Sequence, residues 1–199
     1  MVHLNGNVLA AVDVETTGLK ARFNDIIQVA VLPLGADLEP LPGVVPFYTN
    51  MLPKRPDNVD PKGMTTHKID YRKLLREGLD AERVADLFHS WYADLDIPLG
   101  KSLIPLAHNW VFDFGFMEDW LGQDAMESYF FGHYRDTMVV AGFLNDHAEW
   151  KQERHPHPKL GLTSLCSVLG VENPNPHDAL GDSVATARCY KEIIRRGLF

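Results

Sequence analysis

Short apolar runs alternate with longer amphipathic stretches along the chain, the pattern of a sheet interleaved with helices. Val8 to Val14 is apolar apart from Asp13, and Asp25 to Leu32 carries branched residues at Ile26, Ile27, Val29 and Val31, so both read as buried strands. Thr16-Thr17-Gly18-Leu19 and the polar residues after it connect them. Between Pro40 and Pro61, prolines flank a short strand candidate at Val44 to Thr49, which predicts a strand set in extended loop. Ala81 to Leu95 places Val84, Leu87, Phe88, Trp91 and Leu95 on one helical stripe. Leu103 to Ala107 is another apolar strand, leading into an aromatic-rich helix from Val111 to Leu121. A further strand is expected within Tyr129 to Tyr134, then a helix over Thr137 to Asn145 and a polar, histidine-rich loop over Asp146 to Lys159. Leu162 to Leu169 and Ala179 to Arg196 read as closing helices. A strand that runs straight into a helix marks a parallel unit. The predicted class is therefore α/β: a mixed sheet flanked by helices, in a single domain over 1–199.

Composition narrows this picture. A length of 199 residues, 45% of them apolar, suits one domain with a sizeable core. Nineteen Lys and Arg against 27 Asp and Glu give a net charge of -8, which excludes a basic, sequence-indifferent nucleic-acid coat but not a nucleic-acid enzyme. The longest strictly apolar run, Val8 to Val12, is far short of the roughly 20 residues of a membrane helix, so no membrane partner is expected. The segment Met1 to Asn7 has neither a basic stretch nor a long apolar core, so no secretory signal is expected and a reducing cytoplasm is the default compartment. Cys166 and Cys189 fall in helical segments, where small buried hydrophobes are expected rather than staples. Trp91, Trp110, Trp120 and Trp150 read mostly as core, and His147, His155 and His157 as solvated loop, because their spacing fits no zinc pattern.

The chemistry lies in acids that violate their surroundings. Asp13 sits inside an otherwise apolar strand, and an unpaired buried carboxylate costs several kcal/mol. Glu15 is two residues on, so both side chains leave the same face and repel unless a cation lies between them; oxygen ligands of this kind suit Mg²⁺ or Mn²⁺. Asp-x-Glu alone is equally compatible with solvated acids at a strand end. Asp113 is the sole charge at an apolar helix start, just past a strand end. Near the C-terminus Asp178 is the natural N-cap of the last helix, with His177 just outside it and Asp182 on its early turns.

Taken in order, Val12-Asp-Val-Glu-Thr-Thr-Gly-Leu19, His108-Asn-Trp-Val-Phe-Asp113 and His177-Asp-Ala-Leu-Gly-Asp182 resemble the three motifs of the DEDDh, DnaQ-like 3′-to-5′ exonucleases, a family that includes the proofreading epsilon subunit of bacterial DNA polymerase III and RNase T. Met64-Thr-Thr-His-Lys-Ile-Asp70, Arg135-Asp-Thr-Met138 and Leu160 to Val171 resemble supporting segments of the same family, so the likeness runs from about Leu9 to Arg195. The resemblance implies a ribonuclease-H-like fold and metal-dependent phosphodiester hydrolysis. It implies two divalent ions, Mg²⁺ or Mn²⁺, held by Asp13, Glu15, Asp113 and Asp182, with His177 as general base. It also implies that Thr16, Thr17, Gly18, Leu19, His67, Asn109 and Phe112 meet the terminal nucleotide, Leu19 and Phe112 as apolar wedges and His67 near the sugar.

Single-stranded or frayed DNA 3′ ends are the expected substrate, with RNA 3′-end trimming as the alternative. A catalytically silent binding module is disfavoured because all five acid and base positions are filled. Lys68 stands where the family usually carries glycine, and with Arg72, Lys73 and Arg76 it forms the densest basic cluster, suited to steering a strand or to an exposed helical face. Because the third-motif helix closes the chain, a free-standing nuclease, or one docking on a polymerase or other replication or repair partner by its globular surface, is expected over a dedicated replicase subunit.

Overall fold

The computed structural model describes residues 5–61, 63–173 and 175–197. The start of the segment in which no secretory signal is expected, Met1 to Leu4, lies outside them. The first apolar run forms β1 (Val8–Thr16), followed by β2 (Ile26–Pro33), β3 (Phe47–Asn50), α1 (Tyr71–Glu77) and α2 (Ala81–Ala93). Then come β4 (Leu103–Ala107), α3 (Trp110–Leu121), α4 (Gln123–Tyr129), β5 (Arg135–Asp136), α5 (Thr137–Trp150), α6 (Leu162–Leu169) and α7 (Ala179–Arg196). The strands make one five-stranded sheet in the order β3-β2-β1-β4-β5. β1 pairs antiparallel with β2 and parallel with β4, so the sheet is mixed, as expected.

Both faces of the sheet are covered, which is why β1 and β2 are apolar on both sides. One face, with Val12, Val14, Val29 and Phe47, packs on Phe88 of α2 and on Trp110, Phe116 and Met117 of α3. The other, with Leu9, Ala11, Leu32 and Leu106, packs on Ala187 of α7. Outside that layer, Ala141 and Leu144 of α5 and Leu165 and Cys166 of α6 close around Cys189 and Ile193 of α7. Each such branched or aromatic side chain contributes roughly 1.5–3 kcal/mol of burial. Both cysteines are free and buried.

The strand expected at Tyr129 to Tyr134 is corrected. Pairing begins only at Arg135, Phe130 makes a single bridge to Leu103, and the residues before it form α4. The aromatic residues that suggested a strand serve packing instead: Phe130 and Tyr134 both lie against Trp110. α5 also runs past Asn145 to Trp150, because Ala148 extends the buried stripe of Ala141 and Leu144. Trp150 is not core but 86% exposed. His157 is not solvated loop. It is buried, its backbone N–H donating to Asn145 Oδ1 at 3.0 Å and its carbonyl accepting from Asn145 Nδ2 at 2.7 Å. The basic cluster does fall on a helix: Arg72, Lys73 and Arg76 ride the exposed side of α1, which Asp70 caps.

Candidate active site

The site lies where β1 outruns its parallel neighbour. Pairing with β4 ends at Ala11, so the rest of β1 projects past β4 and opens a crevice at the carboxyl end of the parallel strands. Val14 N–H, beyond the last rung with β4, donates instead to Asp113 Oδ1 at 3.1 Å. That bond seats Asp113, 3% exposed, against the back of β1 from the first turn of α3. From the opposite face α7 brings Asp182. One carboxylate oxygen from each of Asp13, Glu15 and Asp182 lies within 4.8 Å of the others. Asp113 is not part of that triad.

Two hydrogen bonds aim Asp182: Asn173 Nδ2 donates to its Oδ1 at 2.5 Å, and the His177 backbone N–H donates to its Oδ2 at 3.2 Å. His177 is exposed and adopts φ +62°, a left-handed conformation unusual for a residue with a Cβ. Asp178 caps α7 as expected, its Oδ1 accepting from Gly181 N–H at 3.0 Å. His177 and Asp178 border a cavity of about 510 Å³ whose other walls include Lys68, Lys73, Gln28 and Asn50.

The electrostatics are those of buried acids crowded together. Burial, reinforced by Asp113, Asp182 and Glu15, holds the Asp13 carboxyl well above the usual range. Burial and the Asp182 and Asp178 carboxylates push Glu15 up to about 8. Asp113 is also held high by burial, against the opposing Val14 N–H, and Asp182 is raised by burial despite the bonds from Asn173 and His177. Acids this close cannot all ionise without a cation.

The turn after β1 is built largely for its own rigidity. Thr17 is fully buried, its hydroxyl accepting from Asp25 N–H at 3.0 Å and donating to the Asn58 carbonyl at 3.1 Å. The Thr16 hydroxyl donates to the Gly18 carbonyl at 2.6 Å. A Cβ at Gly18 would lie 2.5 Å from the Asn24 side chain, so the close approach that requires glycine here is that of Asn24. Asp25 beneath the turn is held by Arg55, whose Nε lies 3.0 Å from Oδ1 and whose backbone N–H lies 2.6 Å from Oδ2. Leu19 projects from this frame 72% exposed, free to meet a ligand. Phe112 is half-buried against Phe116, and Asn109 is exposed in a left-handed conformation at the start of α3. His67 is 6% exposed; its Nδ1 accepts from Ile69 N–H at 3.3 Å, while its Nε2 has no hydrogen-bond partner among the described residues. Burial lowers the His67 imidazole from its ordinary value.

The family model described as exonuclease matches residues 10–190. The chain belongs to the exonuclease family. It is the DEDDh, DnaQ-like, 3′-to-5′ branch that the three motifs resemble. Ribonuclease T of Shewanella sp. (strain ANA-3) is 26% identical over 93% of this chain and 81% of its own length. E. coli exonuclease I in complex with a dT13 oligonucleotide superposes with a TM-score of 0.70 at 19% identity over 96% of this chain. The exonuclease described here spans only 41% of that chain. The Mg²⁺- and Mn²⁺-bound form of S. pombe Pop2p gives 0.69 at 18% identity over 94% of this chain and 83% of its own. These structures establish the ribonuclease-H-like fold.

Several residues that fix this exonuclease's site carry weak sequence signals. Asp136 accepts from the N–H groups of Asn109 and Trp110 at 3.1 and 2.8 Å and from those of Met138 and Val139 at 2.8 and 3.2 Å, joining the starts of α3 and α5. Gly181 admits the Asn175 backbone against the first turn of α7: a Cβ there would collide with the Asn175 carbonyl oxygen and stand 3.1 Å from its Cβ. Gly181→Ala is therefore expected to displace the loop that carries His177 and to lower turnover roughly tenfold to a hundredfold while α7 still forms. Single-turnover hydrolysis beside a thermal melt checks this, and wild-type turnover would refute it.

Proposed function

We propose that the chain hydrolyses phosphodiester bonds at the 3′ ends of single-stranded or frayed DNA, in the 3′-to-5′ direction, releasing nucleoside 5′-monophosphates. The observation that carries this reading is the carboxylate triad of Asp13, Glu15 and Asp182 beside an exposed histidine, at the open end of β1, in a chain of the exonuclease family. All three donors are hard oxygens, and burial together with mutual repulsion leaves Glu15 raised to about 8, so the set fits a divalent cation of the Mg²⁺ or Mn²⁺ class. We assign two such ions to Asp13, Glu15 and Asp182, with Asp113 supporting the second directly or through water. When bound, the ions supply an activated water on one side of the phosphorus and charge stabilisation for the leaving 3′-oxygen on the other.

The protein's own groups do the rest. His177 takes the proton of the attacking water at an imidazole nitrogen, and its exposure lets that proton pass to solvent. Asp182, which accepts the His177 N–H, holds the base beside the acids. Leu19 and Phe112 wedge against the terminal base, the Thr16 to Gly18 turn and Asn109 shape the rim, and buried His67 meets the terminal sugar. Lys68, Lys73, Arg72 and Arg76 steer the strand inward. Our reading puts the reaction in the cytoplasm, with a polymerase or repair protein as a candidate partner. Among the described residues no helix is long and apolar enough to cross a membrane.

A second reading, RNA 3′-end trimming, is favoured by the likeness to Ribonuclease T. Matched DNA and RNA oligomers, labelled at either end and incubated with Mg²⁺ or Mn²⁺, separate the two. The expected result is stepwise shortening of the 5′-labelled DNA from its 3′ end, with release of labelled mononucleotide first from the 3′-labelled strand, and complete arrest by chelator. Faster RNA hydrolysis would replace the leading reading with the second; chelator-resistant cleavage would sink both.

A further inference from the structure

Three side chains from distant parts of the chain, Gln28, Tyr48 and Asp178, tie β2 and β3 to the segment that carries His177. The strand register sets Glu15, Gln28 and Asn50 on one rung and Asp13, Ala30 and Tyr48 two rungs along. Alternation along each strand turns all six toward the face covered by α7. Gln28 Oε1 accepts the Ala179 N–H at 2.8 Å, and its Nε2 donates to Asn50 Oδ1 at 2.9 Å and to the Tyr48 hydroxyl oxygen at 3.1 Å. The Tyr48 O–H donates in turn to Asp178 Oδ2 at 2.5 Å. The cap of α7 is thus fastened twice to the sheet, at Asp178 and at Ala179, immediately after His177.

This fastening matters because little else fixes His177. Its side chain is exposed, its backbone is left-handed, and its N–H reaches Asp182 Oδ2 at a relaxed 3.2 Å. An unusual backbone conformation persists only where its surroundings over-determine it. We infer that Tyr48 and Gln28 are positioning residues for hydrolysis, which hold Asp178 and Ala179 so that His177 stands at a fixed place beside the triad. The inference rests on the nuclease reading above. Neither residue belongs to the carboxylate triad.

The test is a split of kinetic constants together with a readout that does not depend on turnover. Tyr48→Phe, at a partly exposed position, is expected to lower kcat roughly tenfold with KM, Mn²⁺ affinity and Tm close to wild type. Gln28→Met should lower kcat in the same way, and the double variant should fall by less than the product of the two single effects, because both act through one segment. Amide exchange over residues 177–182 of the metal-free chain should be faster in each variant. Wild-type kcat in Tyr48→Phe, or a loss of kcat matched by an equal loss of Mn²⁺ affinity, would overturn the inference, as would unchanged amide exchange. If the wild-type chain hydrolyses no oligonucleotide, it is the nuclease reading that fails, and the exchange measurement still decides whether these two residues hold the segment.

Discussion

Asp13→Asn is expected to abolish hydrolysis, by at least about 10³-fold or roughly 4 kcal/mol of transition-state stabilisation, while leaving the protein folded and no less stable. The two halves of this expectation have separate physical origins. Asp13 belongs to the carboxylate triad, so an amide there withdraws a charged ligand from the centre of the site. Among the described residues, the hydrogen bonds that fix the surrounding acids run to Asp182 and Asp113, not to Asp13, so none of these positioning bonds is lost. Burial and four neighbouring acids, Asp113, Asp182, Glu15 and Asp178, already work against the Asp13 charge, and neutralising it relieves them. Asp182→Asn should be equally inactive but less cleanly so, because Asn173 Nδ2 and the His177 N–H bond different carboxylate oxygens and an amide keeps an acceptor at only one of the two positions. Labelled-oligonucleotide hydrolysis and a metal-free thermal melt, run on both variants, check the pair. Residual activity above a few per cent in Asp13→Asn would remove Asp13 from the chemistry.

What the sequence disclosed and what it hid follow from one distinction. Asp13 was legible because a charge inside an apolar strand is a local contradiction, and Glu15 because alternation places it on the same face. Gln28 carries the same signal in milder form, a polar residue within Ile-Ile-Gln-Val-Ala-Val, but a neutral amide raises no electrostatic alarm. Its bond to Ala179 spans 151 positions and exists only once β2 lies under α7. The Tyr48 bond to Asp178, across 130 positions, is hidden for the same reason, although Asp178 itself reads as a helix cap. Gly181 stands in a helix, where glycine usually reads as mere weakness, and only the Asn175 backbone against it reveals a need for space. Helices α1 and α4 escaped a periodicity argument because each buries a single side chain, Leu74 or Met126, too little for a stripe. The three motifs, by contrast, are local strings, and the family they resemble is the family the chain belongs to.

The metal-free chain should lose stability as pH rises, and a divalent cation should restore it. Glu15 is raised from 4.5 to about 8 in the folded state by burial and by Asp182 and Asp178. For an acid whose folded value lies above its unfolded one, the folded state binds more protons between the two. Its contribution is therefore fully present below about pH 4.5 and is lost as pH rises to about 8. A shift of this size corresponds to a few kcal/mol, or roughly 5–10 °C in Tm for a chain of this length. Because other groups also titrate in this window, the diagnostic is a difference. Metal-free Glu15→Gln should match the wild type near pH 4.5 and melt several degrees higher by pH 8. Mn²⁺ should invert the order, stabilising the wild type by mass action once its carboxylates ionise and stabilising Glu15→Gln much less. Melts of both proteins across this pH range, with and without Mn²⁺, make the comparison. A constant gap between them, indifferent to pH and to the ion, would show that Glu15 holds neither a displaced proton nor a metal.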